Sequence, residues 1–293
     1  MHFYYKKKYR IFRMVWLLAL FLVFPLCANA GAFEQLFAPK AELWEIWQAH
    51  NEESPNKIEH KDWTLFLQNN IRQGKDGVNR LDYAAMSSAD RNDLRTYIEA
   101  LQRINISEYS RSEQLAYWIN LYNAVTVDVV VMHYPVKSIR DIDISPGFFA
   151  DGPWEKKIIR VNNEELSLND IEHRILRPLW KDARIHFAVN CASIGCPDLS
   201  KQAFLAETIN KQLDSAAKKY IAHPRGVKIT DDGVVVSSIF SWFQQDFGNT
   251  EADVIKYIQK YANTDKSKSL EGVRFFSGDE YDWSLNDASE LSR

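Results

Sequence analysis

The segment from Ser110 to Tyr134 constrains the fold more than any other part of the chain. Ser110 and Glu113 make an S-x-x-E start, in which a hydroxyl and a carboxylate can satisfy the free N–H groups of a helix's first turn. Behind it, Leu115, Trp118, Leu121, Val125, Val129 and Val131 are joined by Ile119, Tyr122, Val127 and Val130, so that apolar side chains occupy every face instead of one stripe. A chain in water can bury such a helix only by wrapping the rest of the domain around it. The pattern therefore predicts a central, enclosed helix over Ser110–Met132. Asn120 and Asn123 are enclosed with it and need partners; amides so placed more often bond nearby backbone than take part in catalysis.

Shorter elements surround this helix. Phe33–His50, interrupted by Pro39, reads as one or two short amphipathic helices, and Asn51–His60 as a connecting loop. Asp62–Ile71 and Asp90–Ile104 have helical spacing, with a turn at Gly74–Gly77 between them. Lys157–Val161 suits a short strand; Ser167 and Asp170 open a helix that Arg177-Pro178 closes. Arg184–Val189 alternates in part and is expected to be a strand, and Ser200 to cap a helix reaching about Ile221. Val227–Thr230 and Val234–Ser237, joined through Asp231-Asp232-Gly233, give a hairpin signal. The hairpin and the Arg184–Val189 strand are expected to pack on the central helix. Further helices are expected near Ile239–Gln245 and from Thr250 with Asp253, and a last strand at Gly272–Phe276. The expected class is α+β: a helix-rich single domain with a central buried helix and a small, mainly antiparallel sheet.

The front of the chain carries a different signal. Lys6, Lys7, Lys8, Arg10 and Arg13 precede an uncharged apolar run from Met14 to Leu26, and Ala28-Asn29-Ala30 follows. That is the order of a secretory signal peptide, residues 1–30, with cleavage expected after Ala30. The run would cover only ~20 Å of a hydrocarbon core ~30 Å thick, too little for a comfortable permanent span. Cleavage would leave a 31–60 extension and a 61–293 domain, exported to the periplasm or secreted. It would remove five of 36 basic residues and none of 39 acidic ones, leaving 31 against 39 and a formal charge of −8. Such a surface argues against nucleic acid or anionic lipid as the main partner; the ligand, a peptide, glycan or protein, is left open.

Two thiols remain after cleavage, Cys191 and Cys196. Their spacing permits a small Cys191–Cys196 disulfide loop, which would add only about 2 kcal/mol by chain entropy, and the first reading is a non-catalytic binding or assembly domain stapled in this way. The loop Asn190–Pro197, following Arg184–Val189, is the strongest site candidate. A second reading makes Cys191 a nucleophile, with His173 or His186 as base and Asn120, Asn123, Asp246 or Glu172 orienting that base. A thiol-dependent hydrolase or acyl transferase on peptide or amide bonds would follow. A third reading, zinc held by Cys191, Cys196, His173 and His186, has permissible ligands but loose spacing; no metal and no cofactor is expected. In any of these readings Glu172, Arg177, Asn190 and Ser193 are candidate binding residues. P-loop, Rossmann, HExxH and GxSxG signatures do not occur. The tryptophans could line a saccharide or peptide groove, although their helical spacing favours core packing.

Several blocks carry a resemblance: Glu113–Ala124, Asp170–Arg177, Arg184–Pro197, Trp242–Phe247 and Tyr281–Asn286. In this order, from about Trp63 to Asn286, they resemble the family called domain of unknown function 547. The resemblance implies a fold unit and an ordered set of polar positions, and no reaction.

Overall fold

The structure, a computed structural model, describes residues 38–147 and 151–292. The expected signal peptide, Cys27 and the first residues of the expected extension lie outside the described residues.

The central helix is present, and the elements before it close one side of it. Helix α1 (Lys61–Asn70) leads through the hairpin β1 (Ile71–Gln73) and β2 (Asn79–Leu81) to α2 (Ser88–Gln102). Ser87 and Asp90 start α2 with a full capping box. Helix α3 (Arg111–His133) is buried on all sides from Glu113 to Val127. It is long and apolar enough to cross a membrane by composition alone, yet 89% of its apolar window lies inside the fold. Its N-cap is half of the expected capping box: the Ser110 hydroxyl accepts the Glu113 N–H at 3.4 Å, but the Glu113 carboxylate takes the N–H of Ile58 at 3.1 Å.

The expected N-terminal helices reduce, among the described residues, to one 3-10 turn at Glu45–Gln48. Backbone bonding explains the difference. Glu42 and Trp44 give their N–H groups to the carbonyls of His173 and Arg174, at 2.9 and 3.0 Å, which holds this stretch extended. Trp47 then packs edge-on against Trp118 of α3 at 5.1 Å.

Strands β3 (Ile159–Val161) and β4 (Glu164–Leu166) form a second hairpin, closed by Asn162 and Asn163 at φ 47° and 69°. The Ser167–Asp170 start forms, but the following helix is a π-helix, Asp170–Leu176, which does not end at Pro178. It runs on into α4 (Arg177–Trp180), and Lys181 at φ 49° stops it. Arg184–Val189 is no strand. A 3-10 helix covers Ala183–Phe187, started by the Asp182 carboxylate accepting the Arg184 N–H at 2.9 Å. Burial continues on every side there, so the partial alternation carried no strand register. The helix expected to begin after Ser200 begins at Ile209 instead, as α5 (Ile209–Ala222). Ala203, Phe204 and Leu205 have already given their N–H groups to Thr64, Asn120 and Gln212.

Strands β5 (Val227–Thr230) and β6 (Gly233–Ser237) pair as expected. Helices α6 (Ser238–Trp242), α7 (Gln244–Phe247), α8 (Glu251–Tyr261) and α9 (Thr264–Ser269) follow. The last strand, β7, falls at Gly278–Glu280, parallel to β6, and not at Gly272–Phe276. Gly272 at φ 78° is turned, and the Phe276 N–H is taken by the Glu251 carboxylate at 2.7 Å. The α+β class holds, with three small sheets among the described residues in place of one. The described residues form two cores. The first surrounds α3; the second contains Phe187, Phe240 and Val254 and holds the β5–β6 hairpin, which therefore does not pack on α3. Helix α5 joins them, giving Leu213 to the first and Tyr220 to the second.

Candidate functional site

The loop Asn190–Pro197 lies where the two cores meet, and side-chain amides fix its shape. Asn123 of α3 accepts the Asn190 N–H at 2.8 Å and donates to the Ala188 carbonyl at 2.9 Å. Asn190 in turn donates to the Pro197 carbonyl at 2.7 Å and accepts the Ala192 N–H at 2.9 Å. Between them Ala192 is held left-handed at φ 59°, a conformation that costs a non-glycine residue about 1–2 kcal/mol. The C-terminal segment straps the outside: Ile194 and Gly195 donate to the carbonyls of Ser284 and Asp282, both at 2.8 Å. A Cβ at Gly195 would lie 2.8 Å from the Asp282 nitrogen, so this close approach requires glycine.

Cys191 leaves this loop part-exposed. Its sulfur is 2.9 Å from the Tyr281 hydroxyl and 3.2 Å from that of Ser193, and these two hydroxyls are 2.9 Å apart. Cys196 is buried, and its sulfur accepts the backbone N–H of Cys191 at 2.9 Å. Both cysteines are free thiols in this structure, so the expected Cys191–Cys196 bond is not formed here. Burial tends to raise the Cys191 thiol, but hydrogen bonds from Cys196, Ser193 and Tyr281 outweigh it and bring it below the ordinary thiol value. Burial pushes Cys196 the other way, well above that value, and the neighbouring Cys191 adds to the shift.

A second group of polar side chains converges nearby. The π-helix presents Glu172 and His173 in succession, and its i→i+5 bond runs from the Arg177 N–H to the Glu172 carbonyl. Arg177 donates to His173 Nδ1 at 2.9 Å, to the Pro39 carbonyl at 2.7 Å and to Asp246 at 2.6 Å. His186 gives Nε2 to the same Asp246 oxygen at 2.7 Å and places Nδ1 3.6 Å from Glu172. Phe243 lies flat against the His186 ring at 4.4 Å, with the Arg177 guanidinium over it at 4.6 Å. Burial alone would raise Glu172, but His173, His186 and Arg177 hold it at about 2. Burial likewise opposes ionisation of Asp246, yet His186 and Arg177 keep it well below the carboxylate range. Burial, with Arg177 and His186 adding, lowers His173 to about 4. Since Arg177 donates to Nδ1, neutral His173 carries its proton on Nε2.

Glu172, His173, Arg177, His186 and Asp246 are thus brought together across the chain, while Asn123, Asn190 and Ser193 shape the cysteine loop. Asn120 stands apart, clamping Phe204 through its N–H and carbonyl at 2.9 and 2.8 Å. Among the described residues, the hydrogen bonds of the Cys191 sulfur go to hydroxyls and to Cys196, and none goes to an imidazole. Nor are three His, Cys, Asp or Glu side chains grouped there so as to hold a metal ion. Sequence reasoning missed Tyr281 as a site residue; its ring packs tilted against Trp242 and Trp283 at 4.8 and 4.6 Å in a half-buried aromatic trio beside Cys191. The Tyr-x-Trp of the C-terminal segment was the available signal. A separate cleft of about 430 Å³, lined by Asp198, Ser200, Lys219, Tyr220 and Arg225 among others, lies behind the loop and does not include Cys191.

No curated protein and no solved structure matches this chain. A family described as protein of unknown function, DUF547, matches residues 106–221, which take in α3, the π-helix, the cysteine loop and α5, and leave Asp246 and Tyr281 outside. Residues 106–221 are thus similar to the DUF547 family, over less than half of the chain.

Proposed function

We propose that the protein is an exported ligand-binding domain, and that the ligand docks where Cys191 emerges beside Tyr281, Trp242 and Trp283. One observation carries the reading: His173 Nδ1 and both nitrogens of His186 face Arg177, Asp246 and Glu172 within the buried network, while the Cys191 sulfur is engaged by hydroxyls. Cleaving an amide requires a base for the thiol proton and an acid for the departing amine, and neither imidazole is hydrogen-bonded to the sulfur. The aromatic trio supplies what binding needs, a half-buried face with hydroxyl groups at its edge. A peptide or a glycan suits such a face better than nucleic acid does, given the acidic balance of residues 31–293.

Tryptophan emission, titrated with pooled peptides and with soluble oligosaccharides, is expected to respond to one of them and to lose the response in Trp283→Ala. Peptide anilides are expected to turn over no faster with the wild type than with Cys191→Ala. Cys191-dependent cleavage of an anilide would overturn the reading in favour of a thiol hydrolase. Export is tested separately by the intact mass of the protein recovered outside the cytoplasm, which is expected to begin at Gly31.

A further inference from the structure

We propose that Cys191 and Cys196 form a reversible dithiol–disulfide couple that exchanges with disulfide-containing molecules, Cys191 being the entry sulfur and Cys196 the resolving one. This goes beyond ligand binding and does not depend on it. The two sulfurs differ in the way such a couple requires. Cys191 is part-exposed and faces the Tyr281 and Ser193 hydroxyls, at 2.9 and 3.2 Å, which can donate to a thiolate. Cys196 is buried at 4% exposure directly behind it, touching the Cys191 backbone N–H, with the Val189 carbonyl 3.8 Å from its sulfur. A disulfide in solution reaches only the first sulfur, and the second is placed to reach the first.

The chemistry also suits what the site lacks. A departing amine must be given a proton, but a departing thiolate needs none, so exchange proceeds without an imidazole. In the first step the Cys191 thiolate attacks one sulfur of a disulfide RS–SR, forming Cys191–S–S–R and releasing RS⁻. In the second the Cys196 thiol gives its proton to that RS⁻ and attacks the Cys191 sulfur, expelling the second RS⁻ and closing Cys191–Cys196. The pair loses two electrons, and the disulfide gains them as two thiols. Closing the bond draws in the Cys196 sulfur that now accepts the Cys191 N–H, so the loop on which the aromatic trio rests differs between the two states.

The test uses the reduced full-length mature chain and oxidised glutathione, with acid quenching and intact mass. The wild type is expected to pass through a single glutathione adduct and end two hydrogens lighter, and reduced glutathione in excess to reverse this. Cys196→Ser is expected to stop at the adduct, mapped to Cys191. Cys191→Ser is expected to react at least tenfold more slowly while folded. Stable adducts on both cysteines of the wild type, or equal reactivity of the two variants, would overturn the proposal. Should either variant fail to fold, brief iodoacetamide labelling of the native wild type decides the order: label on Cys191 first supports it, and label on Cys196 first or on both equally contradicts it. Anilide turnover bears only on the binding reading, so the two proposals fail separately.

Discussion

Burial and Arg177 keep His173 neutral, and that neutrality ties folding to pH. His173 and His60, the latter buried against the Tyr97 hydroxyl at 2.6 Å, both fall to about 4 from the usual 6.5, chiefly through burial. Below pH 6.5 the unfolded chain takes up protons that the folded chain refuses until about pH 4, so each histidine costs stability across that window, on the order of 3 kcal/mol by its lower end. Glu172 acts in the same direction lower down: held at about 2 against 4.5, it contributes stability above pH 4.5 that is lost as the pH falls toward 2. Calorimetry is expected to show a melting temperature that is level above pH 7 and declines from pH 6.5 downward; a rise on acidification to pH 5 would contradict these assignments. Replacing His173 by Ala removes the acceptor of an Arg177 bond inside the same network and opens space beside Phe243. The expected loss is about 2–4 kcal/mol in urea unfolding, and an unchanged midpoint would count against a buried network.

At the scale of elements, backbone bonding decided where sequence patterns held. The turn between β3 and β4 places both Asn162 and Asn163 at positive φ, the backbone of a type I′ hairpin. Asn163→Val is therefore expected to cost about 1–2 kcal/mol, read from the thermal midpoint, whereas Asn163→Gly is expected to be tolerated. Asn120 offers a second test. It satisfies both backbone groups of Phe204 inside the first core, so Asn120→Leu should cost about 2–4 kcal/mol, and a neutral result would mean those groups find other partners. The central helix, the hairpin β5–β6 and the start of α8 were legible because each rests on local chemistry: periodicity, a turn pair or a capping box. The π-helix and the delayed start of α5 were not, since Glu42, Trp44, Thr64 and Asn120, far along the chain, bond them; the 3-10 helix at Ala183–Phe187 has a local start at Asp182, which the partial alternation masked. The site shows the same division. Its polar residues on the helix and the cysteine loop were visible, but Tyr281 reaches Cys191 across 90 positions of sequence.

The whole molecule is held as one unit by segments that serve both cores. Helix α5 contributes to each, and the C-terminal segment returns to lace the first: Leu285 donates to the Lys137 carbonyl at 2.8 Å, Asn286 to that of Ala192 at 3.0 Å, and Leu81 to that of Asn286 at 2.9 Å. Near- and far-ultraviolet circular dichroism are accordingly expected to report one coincident unfolding transition, and ending the chain before Tyr281 to abolish it. Two separated transitions would show that the cores unfold independently. The same C-terminal segment brings Tyr281 to Cys191, whose sulfur bonds hydroxyls and Cys196, separately from the hydrogen bonds of the imidazoles. That separation is the central claim, and the pH profile of Cys191 alkylation by iodoacetamide tests it most directly. Tyr281→Phe is expected to move the midpoint upward by about one unit, the worth of one hydrogen bond to a charged sulfur, while His173→Gln, assayed where it remains folded, leaves it in place. A midpoint that moves with His173 and ignores Tyr281 would contradict the account.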